Sequence, residues 1–222
     1  MPRLLIADDH PLFRLALVQA LRDVVPEAEV LEAGSLQEAR ASLAAHVDID
    51  LVLLDLHMPD SHGLMGLAAL RAEHPAVAVA MISAHDDPRT IRRALAYGAS
   101  AFIPKRSDLA RLREALRAVL DCQDYVPPEL RAAVDASPPS HEDAATAARL
   151  ASLTPQQFKV LVHVADGQLN KQIADLLGIS ERTVKAHLSA LFEKLGVRNR
   201  TQAGVMLRSL ELSDPARSVA EG

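Results

Sequence analysis

One short run, residues 51–59, constrains the fold of this chain more than any other stretch. Its sequence is LVLLDLHMP, so four consecutive apolar residues lead directly into the carboxylate of Asp55. A continuous Val/Leu run of this length is typical of a strand buried on both faces, as in parallel sheets. Pro59 and Asp60 then break the strand. Asp55 is therefore predicted to lie at the carboxyl end of a central strand, where open α/β sheets place their chemistry.

Short apolar runs alternate with helical patterns over residues 1–120. Runs that suit strands begin near residues 3, 29, 51, 77 and 100, and an amphipathic pattern follows each of them. Such strand–helix alternation predicts an α/β domain with a doubly wound parallel sheet and right-handed crossovers.

Polar side chains follow four of the predicted strands. Asp8 and Asp9 follow the first, Asp55 the third, Ser83 the fourth and Lys105 the fifth. Because the carboxyl ends of parallel strands meet at one edge, we expect these side chains to gather there. Three close carboxylates need a cation, and oxygen ligands with few protein contacts favour Mg²⁺. The hydroxyl and the ammonium suit a phosphoryl anion, so the set indicates phosphoryl transfer.

Simpler roles for these residues stay open. Taken alone, Asp8 could be only a helix cap and Lys105 only a surface lysine. Imidazole suits transition metals, so a transition-metal site is an alternative to Mg²⁺. Four histidines fall on loops at the same edge: His10, His57, His62 and His85.

Composition limits the possible location and domain organisation of the protein. Cys122 is the single cysteine, which excludes an internal disulfide. No apolar run approaches the ~18 residues of a membrane span, and no signal-peptide pattern precedes the first strand, so we expect a cytoplasmic protein without membrane contact. The net charge is −5, with acidic residues in excess before residue 150 and basic residues in excess over 150–212. This asymmetry favours two domains with different partners.

A change of pattern separates the two parts of the chain. Residues 121–149 are predicted to be a linker, flexible where residues 136–140 are rich in Pro and Ser. A smaller all-α domain follows over residues 150–212, and residues 213–222 are expected to be a flexible tail. The Thr154–Gln157 segment predicts a helix that begins with a capping box.

The pattern within residues 150–212 is that of a helix-turn-helix. Asn170 is predicted to cap a second helix and Ser180 a third, with a glycine-containing turn between them. The third helix carries a buried stripe of Val184, Leu188, Leu191 and Leu195. Its other face carries basic and small side chains, which suit the major groove of double-stranded DNA. A plain helical bundle with a solvated face is the alternative.

Three residues on that face have side chains that suit base edges. Lys185 can donate to guanine, Ser189 to several bases, and Ala186 can touch a thymine methyl group. Further residues could position phosphates: Lys171, Arg182, Thr183, His187, Arg198, Arg200 and Thr201. Aromatic residues are only 3% of the chain, so no stacking platform for single-stranded nucleic acid is visible.

The N-terminal motifs together resemble the receiver domain of bacterial two-component response regulators. They are Asp8-Asp9, the 55–59 run DLHMP with Gly63, Ser83-Ala84 and Lys105. The resemblance covers residues 1–120 and implies a flavodoxin-like, five-stranded sheet of strand order 2-1-3-4-5. It also implies that the histidine of a sensor kinase passes a phosphoryl group to Asp55.

The resemblance assigns roles to the neighbouring residues. Asp9, Asp55 and the backbone carbonyl of His57 would hold Mg²⁺, with Asp8 acting through a water. Lys105 would pair with the phosphoryl oxygens and Ser83 would hydrogen-bond the new group. Phe102 matches the switch aromatic of the family.

The C-terminal motifs resemble the LuxR-type output domain. They are NKQIA over residues 170–174, GISERTVKAH over 178–187 and KLGVRNRTQA over 194–203. The resemblance, to the NarL/FixJ branch, implies that Lys185, Ala186 and Ser189 face the groove. It implies a homodimer contact through the last helix, with Val205, Met206 and Leu210. Gln157-Phe158 departs from the polar pair common in the family.

The two resemblances imply a transcription regulator that is switched by phosphorylation of Asp55 and is not an enzyme beyond its own phosphoryl transfer and self-dephosphorylation. One alternative is a regulator that binds DNA independently of phosphorylation. Another is a Mg²⁺-dependent phosphatase or phosphotransferase with Asp55 as nucleophile. Such an enzyme would need a substrate cap and a general acid, which the sequence does not show.

Overall fold

A computed structural model describes residues 1–137 and 141–211, except for the side chain of His62. The predictions of a flexible connection at residues 138–140 and of a flexible tail at 213–222 lie outside the described residues. Among the residues described, no helix is both long and apolar enough to cross a bilayer.

Five parallel strands form the central sheet in the order β2-β1-β3-β6-β7. The short strands β4 and β5 pair as a separate antiparallel hairpin, so the sheet has the predicted order 2-1-3-4-5 and the α/β prediction is confirmed. The strands are β1 Arg3–Ala7, β2 Glu29–Ala33, β3 Ile49–Asp55, β4 His57–Met58, β5 Ser61–His62, β6 Ala78–Ser83 and β7 Ala101–Pro104.

Helices cover both faces of this sheet. They are α1 Pro11–Val24, α2 Leu36–Ala45, α3 Met65–Glu73, α4 Pro88–Ala96 and α5 Leu109–Leu120. Along β3, Leu51 and Leu53 belong to the buried cluster with α1 and α5, whereas Val52 and Leu54 belong to the cluster with α2 and α3. The central strand is therefore buried on both faces, as its continuous apolar sequence predicts.

Helices form the remainder of the described chain. They are α6 Pro128–Asp135, α7 His141–Ala151, α8 Pro155–Ala165, α9 Asn170–Leu177, α10 Glu181–Leu195 and α11 Arg200–Arg208. Gly178 ends α9 with a positive φ of 64°, a conformation that glycine adopts without strain, and so makes the turn before α10. The α8–α11 segment is the smaller all-α domain that the sequence predicts.

The start of α9 corrects one prediction. Leu169, and not Asn170, is the N-cap residue, and Asn170 is the first residue of the helix. Gln172 reaches back, and its Oε1 accepts a hydrogen bond from the backbone N–H of Leu169 at 2.7 Å. The glutamine at the third helical position thus supplies one half of a capping box, by accepting the N–H of the N-cap residue.

The two domains share one continuous buried core. Leu67 of α3 belongs to the same apolar cluster as Leu161 of α8 and Leu191 of α10. Phe158, with 1% exposure, lines a cavity of about 120 Å³ together with Met65 of α3. Phe158, part of the departure from the family pattern, therefore lies at the contact between the domains.

Candidate functional site

A carboxylate–lysine cluster occupies the carboxyl edge of the sheet. Asp55 is the last residue of β3 and is 4% exposed, and Asp8 follows β1 and is fully buried. Lys105 follows β7, and its Nζ lies 2.9 Å from Asp55 Oδ2 and 2.7 Å from Asp8 Oδ2. The backbone N–H of Lys105 donates to the carbonyl of Ser83 at 2.7 Å, which fixes the lysine beside β6.

The electrostatics of this cluster follow from its burial. Burial raises the pKa of Asp55 to about 6, and the ammonium of Lys105 opposes that rise. Burial alone would lower the pKa of Lys105, but its bonds to Asp8 and Asp55 outweigh burial and raise it. At neutral pH the cluster therefore contains an ionised Asp55 beside a protonated Lys105.

The same cluster has the donor set of a divalent-cation site. Ligand atoms of Asp8, Asp9, His10 and Asp55 all lie within 4.8 Å of one another. Lys105 pairs with Asp8 and Asp55, so three carboxylates face a single ammonium. An added cation would balance this excess negative charge, and the oxygen-rich set fits Mg²⁺. The residues present therefore fit a metal site at the predicted position.

Three of the histidines at this edge lie around the cluster. His10 Nδ1 is 2.6 Å from Asp9 Oδ1 and 3.3 Å from Asp8 Oδ1. The rings of His57 and His85 meet edge to face with centroids 5.3 Å apart. The structure thus brings one imidazole, that of His10, to the carboxylates, whereas His57 and His85 are not part of this ligand group.

Ser83 and Phe102 lie behind the cluster. Ser83 is fully buried, and its Oγ accepts a hydrogen bond from the backbone N–H of His85 at 2.9 Å. Phe102 on β7 is also fully buried, and its N–H donates to the carbonyl of Tyr125 at 3.0 Å. Any change in the orientation of the Phe102 ring must therefore occur inside the core.

A cleft of about 690 Å³ opens over Asp55. One wall is α1, which contributes Leu12 and Phe13, and Lys105 Nζ lies 5.0 Å from the centroid of the Phe13 ring. Leu12 is 83% exposed at the rim, and Leu15, one turn further along α1, is 66% exposed. The sequence does not reveal this apolar rim, because Leu12 and Leu15 also suit the inner face of a helix.

The base-reading candidates lie on an open face of α10. Lys185, Ala186 and Ser189 are all exposed. The predicted stripe on the opposite face is buried: Val184, Leu188, Leu191 and Leu195. Helix α10 is thus anchored along one side and open along the other.

The candidates for phosphate contacts differ in their local contacts. Thr183 Oγ1 lies 2.8 Å from the cap hydroxyl of Ser180, and Arg200 donates to the carbonyl of Gln168. These contacts give Thr183 and Arg200 structural roles as well. The other candidates lie outside the buried core: Lys171, Arg182, His187, Arg198 and Thr201.

The fold and the site define a class of protein: a receiver with a buried acidic site, joined to a helix-turn-helix domain. Residues 4–117 match the family model described as response regulator receiver domain, and residues 151–207 match that of bacterial regulatory proteins, luxR family. The chain belongs to the response regulators of two-component systems that carry a LuxR-type DNA-binding domain. Members of this family regulate transcription.

Curated relatives match nearly the full length. The glycerol metabolism activator of Pseudomonas putida is 41% identical over 206 residues, which cover 91% of this chain and 93% of that protein. The probable transcriptional regulatory protein NarL of Mycobacterium tuberculosis is 37% identical, with 90% and 91% covered. Transcriptional regulatory protein DegU of Brevibacillus brevis is 32% identical, with 91% of each chain covered.

Solved structures agree at the level of the fold. RcsB of Salmonella enterica serovar Typhimurium, bound to a promoter in the presence of a beryllium fluoride phosphomimetic, has a TM-score of 0.57 and 21% identity. The match covers 95% of this chain and all of that one. A structure of two RcsB dimers on DNA has a TM-score of 0.56, with 94% and 98% covered.

Proposed function

We propose that this protein is a transcription regulator in which a sensor histidine kinase phosphorylates Asp55 and thereby controls dimerisation and promoter binding. One observation carries the proposal. The nearly buried carboxylate of Asp55 pairs with Lys105 and lines a cleft, and in the same chain the face of α10 that carries the base-reading candidates is exposed. A regulator of this kind acts in the cytoplasm, where it can reach both the kinase and double-stranded DNA.

At the acidic site, each residue has a part in phosphoryl transfer. Asp55, ionised above its pKa of about 6, presents Oδ1 to the incoming phosphorus atom, because Lys105 holds Oδ2. Lys105 neutralises the phosphoryl oxygens, and Ser83 leaves the amide of His85 to donate to them. Mg²⁺, held by Asp9, Asp55 and the carbonyl of His57 with Asp8 through a water, would neutralise charge on the transferred group.

The apolar rim on α1 supports a protein as the phosphoryl donor. Leu12 exposes apolar surface at the cleft, and Leu15 extends that surface one turn further along α1. Exposed apolar side chains next to a reactive group are stabilised when a partner protein covers them, and a helix of the kinase is such a partner. This surface would bring the phosphohistidine to Asp55.

At the output domain, Lys185, Ala186 and Ser189 would read base edges from the major groove, and the exposed basic residues would position the phosphates. Two protomers joined through α11 would present two such helices to half-sites. Dimerisation therefore sets the affinity for a promoter.

Selection of genomic fragments tests the proposal. The purified full-length chain is incubated with fragmented genomic DNA, with or without Mg²⁺ and beryllium fluoride. We expect discrete sites to be enriched only with the mimic, and Asp55→Asn to abolish that difference. Retained acyl-phosphate labelling in Asp55→Asn would contradict the assignment of the acceptor.

A second candidate is a regulator that binds DNA without phosphorylation. The open base-reading face of the unmodified chain favours it, because Lys185 and Ala186 are already exposed to solvent before any modification. Equal enrichment of the same sites in both arms of the selection would establish this second function and exclude the phosphorylation switch.

A further inference from the structure

A polar cleft of about 370 Å³ lies between the two domains and is lined by different residues from the cleft over Asp55. Its walls are α2 and the end of α3 in the receiver, and the start of α8 in the output domain. Its volume falls in the range of small-molecule pockets, roughly 300–1,000 Å³. The polar side chains of its lining are those of Gln37, Arg40, Glu73, His74 and Lys159.

The carboxylate of Glu73 in this lining is already neutralised. Arg40 Nε donates to Glu73 Oε2 at 2.9 Å, and Arg40 Nη2 donates to Glu73 Oε1, so both carboxylate oxygens are engaged. The Glu73 side chain is only 7% exposed, and a bidentate pair of this kind is strong where water is largely excluded. Arg40 and Glu73 together therefore add little net charge to the cleft.

Lys159 and His74 supply the remaining charge of the cleft. Lys159 of α8 is half-buried and forms no ion pair with a carboxylate of the residues described. His74, which ends α3, is also half-buried. Burial lowers the pKa of His74 and Glu73 raises it, whereas Arg40 and Lys159 lower it further. Arg40 and Lys159 thus act on the imidazole from two elements, and a negative charge placed among these three groups would be stabilised by all of them.

We propose that this cleft binds a small molecule through a compact dianionic group of the phosphate monoester class. A phosphate monoester carries close to two negative charges at neutral pH, so one such group can balance both Lys159 and a protonated His74. Lys159 would contact the phosphate as a point charge, His74 would donate a hydrogen bond to it, and Arg40 would add positive potential from α2. The volume of the cleft leaves room for a small organic part of the ligand.

A ligand in this cleft would act on both domains at once. Because α2 and α3 belong to the receiver and α8 to the output domain, the three cationic groups meet only when the domains are packed together. A ligand that binds this arrangement alone stabilises it by mass action. The inference goes beyond the proposed function, since such a molecule would reach the regulator without the kinase.

NMR of the His74 ring in the full-length protein tests the site directly. The protein is titrated in EDTA at pH 7.5 and constant ionic strength with methyl phosphate, which is largely a dianion there. Methyl sulfate, of the same shape but with a single negative charge, is the matched control. We expect millimolar methyl phosphate to move the His74 resonances towards those of the protonated ring, because the bound anion raises the pKa of His74. Resonances that do not move, or that move equally with methyl sulfate, would overturn the proposal.

A pair of variants tests the contribution of Lys159. Lys159→Met is compared with Arg117→Met, which removes a positive charge from an exposed position of α5, on the other face of the sheet. We expect Lys159→Met to weaken the binding of methyl phosphate about 10- to 100-fold, followed by the same His74 resonances, with Arg117→Met like the wild type.

Lys159→Arg keeps the positive charge and should retain most of the affinity for methyl phosphate. Wild-type affinity in Lys159→Met would contradict the site, and so would an equal loss in Arg117→Met, since the binding would then be a general attraction to surface charge. These titrations use neither Mg²⁺ nor a phosphoryl mimic. They therefore decide the inference whether or not phosphorylation of Asp55 controls DNA binding.

Discussion

At the scale of single residues, the site depends on one carboxylate that is costly to ionise. Asp55 is almost fully buried, and its pKa is raised to about 6 by that burial despite the bond from Lys105. The sequence predicts this residue and its neighbours because each follows a strand directly. It could not predict that His10 contacts Asp8 and Asp9, since the direction of a loop side chain depends on the packing around it.

The raised pKa leads to a prediction about stability. A folded-state pKa of about 6 exceeds the unfolded value of about 3.9, so the contribution of Asp55 to stability falls as the pH rises from about 4 to about 6. This contribution is not regained above about pH 6. We expect Asp55→Asn to raise the free energy of unfolding by about 1–3 kcal/mol at pH 7.5 in EDTA, and by less at pH 5. Urea unfolding measures both values.

Asp124 provides the control, because it is an exposed aspartate that follows α5 and lies outside the acidic site. Asp124→Asn should change the free energy of unfolding by less than about 0.5 kcal/mol at either pH. A loss of stability in Asp55→Asn at pH 7.5 would show that ionised Asp55 does not destabilise the fold.

At the scale of elements, helix caps formed by neighbouring residues can be predicted from the sequence, whereas caps formed by residues far away in the sequence cannot. Thr154 and Ser180 cap their helices as their sequences predict, because a cap acts within three residues. Asp60 also caps α2, since both its oxygens accept backbone N–H groups of Leu36 and Gln37 at 2.8 Å. No local pattern could reveal that cap, because Asp60 lies 24 residues beyond Leu36 in the sequence.

Thr154 allows a test at this scale. Its Oγ1 accepts from the N–H of Gln157, and Gln157 Oε1 accepts from the N–H of Thr154, so the first turn of α8 depends on both. We expect Thr154→Ala to lower the free energy of unfolding by about 1 kcal/mol, and Thr154→Ser to restore most of it. Chemical denaturation of the three proteins gives the comparison, and an unchanged stability of Thr154→Ala would exclude an energetic role for the box.

The open face of α10 gives a prediction about DNA. Under the proposed function, Lys185→Ala should weaken binding to a selected site by about 1–3 kcal/mol and relax the preference at one base pair. Lys171→Ala, at an exposed phosphate candidate, should weaken binding to all DNA alike. Fluorescence anisotropy on matched specific and random duplexes measures both. Uniform weakening by Lys185→Ala would make Lys185 a phosphate contact instead.

At the scale of the whole molecule, the structure departs furthest from what the sequence allows one to predict. Both domains are predicted correctly as folds, but their shared core is not. Phe158 and Leu210 would also fit the apolar pattern of an isolated output domain. Periodicity predicts which face of a helix is buried but not which element covers it. Their contact surface depends on the receiver, which lies far away in the sequence.

The shared core predicts how the molecule unfolds. Because one apolar cluster spans both domains, the unmodified protein should unfold in one cooperative transition. Phe158→Ala should lower the free energy of unfolding by about 3–5 kcal/mol, since it removes a fully buried ring at the domain contact. Probes in each domain should give coincident midpoints in the wild type, and separate midpoints would show that the domains are energetically independent.

The open face of α10 has a consequence for how quickly such a regulator can respond. A monomer that already exposes its basic groove-binding helix can associate weakly with any DNA and move along it by sliding and hopping. Part of the slow search for a site on the chromosome then takes place before any signal arrives. On activation, two monomers held near one another on the same duplex meet at a high effective concentration. Under the proposed function, the response time is therefore governed by encounter along DNA and not by diffusion through the cell.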